Sequence, residues 1–176
     1  MMFKNRAIQF AVAYALLVII YKVAIILSGT ALSKFNFYFS NILSVFAVIP
    51  FILLTVKYAR DDNGGYIGGK VALKTGFLMS VIAALILSVY NYIEFEWVWR
   101  DLSAEYYHSN DYKLFLEKNK QIKPEDYPAM IEAAIRELSA FKAVTGKLAT
   151  LLFISLGASF MSAVFFKKNK PAFSQN

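Results

Sequence analysis

Residues 71–93 read VALKTGFLMSVIAALILSVYNYI, and this stretch decides the class of the chain. Its one charge, Lys74, lies near the start, and none follows from Thr75 to Ile93. A bilayer's hydrocarbon core is roughly 30 Å thick and a helix rises about 1.5 Å per residue, so about 20 such residues cross it. Three further runs have the same character: Ala7 to Leu27, Phe37 to Val56 and Ala143 to Phe166. Within the first-quoted run, Ala72, Gly76, Ser80, Ala84 and Ser88 recur at every fourth position. Small residues at that spacing let helix backbones approach closely in lipid. The expected fold is therefore all-α: a polytopic membrane protein with an antiparallel four-helix transmembrane bundle.

The composition narrows the chemistry. Of 176 residues, 58% are hydrophobic and 16% aromatic, more than a soluble domain of this size keeps in solution. Cysteine is absent, which excludes disulfides and thiolate metal sites, and the single His108 has no second imidazole with which to share a metal. No carboxylate lies inside any of the four runs, so neither an acid–base pair nor a proton relay has a carrier there. The chain reads as a non-enzyme without a cofactor. Its net charge of +7 is spread over short inter-span segments, which argues against a nucleic-acid partner and for membrane topology.

Orientation follows from the placement of those charges. Lys4 and Arg6 precede the first span, Lys57, Arg60, Lys70 and Lys74 surround the second loop, and Lys167, Lys168 and Lys170 follow the last span. The loop from Ser28 to Asn36 carries only Lys34. The positive-inside rule then places both termini and the second loop in the cytoplasm. Three regions result: 1–93 with spans one to three, an extracytoplasmic segment 94–142, and 143–176 with span four and a basic tail. Ten of the chain's twelve acids fall between Glu94 and Lys142.

That outer segment is expected to be a helical hairpin, or stalk. Asn91, Phe95, Val98, Leu102 and Tyr106 continue the apolar spacing of span three, while Ile131, Ile135, Leu138 and Phe141 lead into span four without a breaker. Pro124 and Pro128 suit the start of the returning helix, which would run about 58 Å if unbroken to Phe166. A shorter helix near Tyr112 to Lys118, with Asp111 as N-cap, would cap the pair. Trp97, Trp99, Tyr106 and Tyr107 read either as an interfacial belt with stalk core or, where exposed, as a partner contact.

Two constellations carry possible binding chemistry. The loop from Arg60 to Lys70 contains Gly64 to Lys70 at the spacing of a phosphate loop, but Val71 stands where a magnesium-binding hydroxyl is required. Paired glycines there suit a tight connection between antiparallel spans. Arg60, Lys70 and Lys74 remain candidates for a phosphate or lipid headgroup. Inside span one, Lys22 falls within about 20° of Ala11 around the helix, toward a small-residue face. It either snorkels to the interface or forms an intramembrane polar site with Asn91 and Glu94. Pro50 is expected to kink span two.

The run Arg60-Asp61, Asn63-Gly64-Gly65-Tyr66-Ile67, Gly69-Lys70 and Lys74-Thr75-Gly76-Phe77 resembles the signature of a bacterial family of small four-span membrane proteins catalogued only as a domain of unknown function. Gly68 departs from the larger or hydroxylated residue expected there. The resemblance extends over nearly the whole chain, including a Glu-rich segment before the last span. It implies a membrane fold and no activity, substrate or catalytic residue. The reading of function is thus an accessory or interaction subunit of the bacterial plasma membrane, in contact with lipids and with a protein partner or a second copy through bundle or stalk. The alternative is a small carrier of a phosphate-bearing or lipid-linked substrate.

Overall fold

The computed structural model describes residues 2–30, 33–118 and 123–169, and among them the fold is helical apart from one isolated β-type pair, Ile67 with Lys168. In chain order the elements are α1 (Met2–Leu27), α2 (Lys34–Phe46), α3 (Val48–Asp62), α4 (Gly69–Glu94), a π-helical turn (Phe95–Trp99), α5 (Arg100–His108), α6 (Asn110–Lys118), a 3₁₀ turn (Pro124–Asp126), α7 (Tyr127–Arg136) and α8 (Ala140–Phe166). Four stretches are long and apolar enough to cross a membrane: Phe3–Leu27, Ile42–Asp62, the continuous helix Gly69–His108, and Ala140–Phe166. Such a set fits a multi-pass membrane protein. Lys170 lies outside the described residues.

The chain divides into two compact units, one made of Met1–Ser88 with Lys147–Asn176, the other of Val89–Gly146. In the first, α1 buries Ala7, Ala11, Tyr14, Ala15 and Val18 at helical spacing, while Ile8, Val12, Leu16, Leu17 and Ile20 stay exposed. A helix apolar all round suits a lipid surround on its outer face. The α1 stripe meets Val48 and Ile52 of α3, Met79, Ala83, Ala84 and Leu87 of α4, and Leu151 and Ala158 of α8. A smaller cluster joins Val56, Ala59, Ile67, Ala72 and Ala163, with Phe3, Leu73 and Phe166 against it.

At Gly76 of α4, α3 and α8 both come close. A methyl built on it would lie 3.0 Å from Ile52 Cγ2 and 3.0 Å from Ser159 Oγ. The expected small-residue face of span three is buried at Ala72, Gly76, Ser80 and Ala84, and Ser88 is half-buried.

Span two is interrupted, in line with the kink expected of Pro50, but its bounds differ: α2 gives way to α3 at Ala47, and the membrane-length stretch is Ile42–Asp62 instead of Phe37 to Val56. Pro50 supplies the cause: its ring crowds the carbonyl of Phe46 and it offers no N–H. The Ala47 N–H closes α2 on Leu43 O at 2.8 Å. Beside the break, the phenol of fully buried Tyr14 donates to the Ser44 carbonyl.

In the second unit Leu116, Ile131 and Ala140 are buried. Here three expectations are corrected. The returning helix is not continuous from Pro128 to Phe166: it stops at Arg136 and resumes at Ala140. Ser139 is a residue type favoured at helix starts, its carbonyl accepts the Ala143 N–H at 3.0 Å, and the Glu137–Lys142 ion pair straddles the break. The α6 cap is Ser109 and not Asp111, with Ser109 Oγ accepting from Tyr112 N at 3.3 Å. The stripe Phe95, Val98, Leu102, Tyr106 contains no fully buried residue, and Phe141 is 72% exposed. The π turn explains the first of these, because Arg100 N–H bonds back to Phe95 O, five residues away, and the wider turn rotates everything that follows.

Candidate functional site

The basic loop of the first unit is built by helix ends. At the end of α3, Asn63 and Gly65 donate back to Arg60 O at 3.1 and 3.0 Å. Gly64 and Gly65 hold φ of 69° and 85°, a region side chains with a Cβ resist. The Asn63 side chain donates to Tyr66 O at 2.8 Å. These glycines therefore cap a helix. Ile67 then pairs antiparallel with Lys168, with N···O distances of 3.0 and 2.9 Å in the two directions. Ile67 is buried between α3, α4 and α8, so the clasp has an apolar anchor.

Around this clasp the charges are ordered. Arg6 grips Asp62 through two bonds of 2.6 and 2.9 Å and reaches Gln9 at 3.2 Å. Arg60 contacts Asp61 at 3.2 Å and lies 5.4 Å from the Phe166 ring. Lys168 sits 5.4 Å over Tyr66, and Arg6 and Lys57 lie 5.7 and 6.0 Å from the Tyr58 ring. The stem of Lys167 comes within 3.5 Å of a Cβ built on Gly69. Of the three candidates for headgroup contact, Arg60 is half-buried and Lys70 and Lys74 are exposed on the first turns of α4. A shallow cleft in the same unit is lined by Asn5, Arg6, Gln9 and Asp62.

Lys22 is 5% exposed and continues the buried stripe of α1 after Val18. In the second unit, Glu94 is 4% exposed and accepts from the Tyr90 hydroxyl at 3.3 Å, while Asn91 is half-buried. Trp97 is 81% exposed and Trp99 half-buried. Tyr106 and Tyr107 join a ring cluster with Tyr112 and Phe115, with centroids 4.9 to 6.0 Å apart. Burial, then the neighbouring phenols Tyr107 and Tyr106, raises the Tyr112 hydroxyl above its ordinary value.

The structure adds groups that the sequence reading passed over. Ser155, Ser159 and Ser162 are fully buried on one face of α8, and their hydroxyls have no hydrogen-bond partner among the described residues. Elsewhere in the first unit, Thr55, Thr75 and Ser80 donate to the carbonyl four residues back, at 2.7, 2.8 and 3.1 Å. The four-and-three spacing of the α8 serines was visible in the sequence, had the small-residue rule been applied to span four. The Arg6–Asp62 and Ile67–Lys168 pairs have no local signal, because their partners lie far apart in the chain.

A family model described as Protein of unknown function (DUF4199) matches residues 9–168. The chain belongs to this family. The DUF4199 match takes in the basic loop, the whole of the second unit and the aromatic cluster, and it ends at Lys168, the residue that closes the clasp on Ile67. Arg6, by contrast, lies ahead of the DUF4199 region. No curated protein and no solved structure matches the chain.

Proposed function

We propose that this DUF4199 protein is a non-enzymatic accessory subunit of a bacterial plasma-membrane complex, and that the Val89–Gly146 unit is its partner-binding part. The observation that carries this reading is that Val89–Gly146 forms a compact unit in which Leu116, Ile131 and Ala140 are buried. It is roughly ten times the four to six residues of an ordinary connection. It also keeps Trp97, Leu114, Phe115 and Phe141 exposed, and aromatic residues dominate binding hot spots. In this reading the four apolar helices form an antiparallel bundle with both termini in the cytoplasm. Support comes from Arg6 meeting Asp62 and Ile67 meeting Lys168, which bring the start of α1 and the end of α8 to the loop between α3 and α4.

The test is recovery of partners in mild detergent, quantified by mass spectrometry, for the parent and for a form lacking Asp101 to Arg136. Insertion should survive the deletion, because all four membrane-length stretches retain their apolar parts, and a stoichiometric partner should be lost. Full recovery of every partner by the shortened chain would refute the assignment.

A second reading, a small carrier of a phosphate-bearing or lipid-linked substrate, is favoured by one feature. Among the described residues, seven Ser and Thr side chains, Ser40, Thr55, Thr75, Ser80, Ser155, Ser159 and Ser162, are buried within the first unit. Uptake of a labelled substrate by reconstituted vesicles, abolished when Ser155 and Ser159 are replaced by Ala, would decide for it.

A further inference from the structure

We infer that the basic rim around the Ile67–Lys168 clasp is a binding surface for anionic phospholipid. The inference rests on the membrane-length helices and on this rim, and not on the partner reading. Near the loop, eight bases (Lys4, Arg6, Lys57, Arg60, Lys70, Lys74, Lys167 and Lys168) face only two acids, Asp61 and Asp62. Both acids are engaged, Asp62 by Arg6 at 2.6 Å and Asp61 by Arg60 at 3.2 Å. Lys57, Lys70, Lys74, Lys167 and Lys168 are exposed, and no ion pair is formed by them among the described residues.

The rim is assembled from distant parts of the chain. The clasp draws the residues after α8 onto the loop, so Lys168 rests on Tyr66 and Lys167 lies along Gly69, beside Lys70. Phe166 lies under Arg60, and Tyr58 under Arg6 and Lys57. Amphipathic rings beside cations, at the ends of apolar helices, are the arrangement found at headgroup depth. The asymmetry decides the ligand. A rim with this charge excess, set where four membrane-length helices begin and end, faces a surface on which lipid phosphate is the dense anion. The cleft lined by Asn5, Arg6, Gln9 and Asp62 is shallow and its arginine is held by Asp62, so that cleft is no enclosed seat for a free small anion.

The experiment uses the full chain in nanodiscs of mixed phosphatidylglycerol and phosphatidylcholine, with the lipids retained by the released protein counted by native mass spectrometry. Three proteins are compared: the parent, a rim variant (Lys70→Gln, Lys167→Gln, Lys168→Gln), and a control of equal charge change in the other unit (Lys113→Gln, Lys118→Gln, Lys123→Gln). The parent is expected to retain phosphatidylglycerol preferentially. That preference should fall at least about five-fold in the rim variant, the factor for roughly one surface lysine's attraction to an anionic leaflet, and should persist in the control. Lys70→Gln alone, at an exposed position, should lower it in the same direction, so a triple variant that fails to fold does not remove the test. An equal fall in rim variant and control, or no fall in either rim variant, would overturn the inference. So would loss of the parent's preference on adding inorganic phosphate, which would assign the rim to the free anion.

Discussion

Gly76→Ala tests the close approach of α3 and α8 to α4 in the first unit. The added methyl would sit 3.0 Å from Ile52 Cγ2, 3.0 Å from Ser159 Oγ and 3.3 Å from Ser159 Cβ. Comfortable carbon contacts need about 3.5 to 4.0 Å, so α3 and α8 must give by about 0.5 Å or more. Ser159 Oγ can rotate away, but its Cβ cannot, and Ile52 is β-branched and stiff at its first torsion. Overpacking of this kind costs about 1 to 3 kcal/mol. Exchanging Gly for Ala within a helix works the other way by about 1 kcal/mol. Gly157, in α8 with no atom within 4 Å of a built Cβ, isolates that second effect. Gly157→Ala should therefore stabilise by about 1 kcal/mol, while Gly76→Ala should be neutral to about 2 kcal/mol destabilising. The difference between them, about 1 to 3 kcal/mol, corresponds to roughly 2 to 12 °C in detergent melting for a chain of this size. Adding Ser159→Gly to Gly76→Ala should recover part of the loss. Equal upward shifts for the two alanine variants would refute the packing argument.

Tyr14→Phe removes the donor to the Ser44 carbonyl beside the α2–α3 break and should destabilise by about 1 to 2 kcal/mol, read by the same melting assay. Arg6→Gln and Asp62→Asn should each lower the melting temperature, and the double variant should be little worse than either single; additive losses would mean that the pair does not act together. Glu137 has its carboxyl held below the usual glutamate range by the hydrogen bond from Lys142, so the folded form binds its proton less readily than the unfolded. The resulting stability is complete above the unfolded value of about 4.3 and is lost as pH falls through the lower folded value. Amide exchange near Ser139 should rise over that acid window in the parent and show no such step in Glu137→Gln. Single cysteines in this cysteine-free chain at Ser33 and Ser109 should react with impermeant thiol reagents in intact cells without an outer barrier, and one at Asn169 should not; labelling at Asn169 alone would invert the topology.

The four apolar stretches and the contact face of span three were legible because both depend on local spacing: length sets the span, and small residues every fourth position set the face. The α2–α3 break was legible only as a kink, since Pro50 announces the lost hydrogen bond but not that Ala47, three residues earlier, takes the turn. The interruption at Glu137–Ser139 carries no proline or glycine, so apolar spacing alone extended the helix through it. A π turn likewise leaves no mark in Phe95–Trp99 that a 3.6-residue period would detect. Within the candidate site, Arg60, Lys70 and Lys74 were visible as a charge cluster. Lys167 and Lys168 read as a separate tail, because their place beside Ile67 depends on a contact across most of the chain.

That contact also sets an order of events during biosynthesis. The backbone N–H and carbonyl of Ile67 find their partners only on Lys168, about 100 residues later, which a ribosome reaches after roughly 5 to 20 s. Until then the turn between the second and third spans waits with two polar groups unmatched and its isoleucine uncovered on the α8 side. A nascent chain from which α8 has not yet emerged would carry an open turn, with the Ile67 backbone groups unmatched. The residues just after α8 thus complete a loop made much earlier.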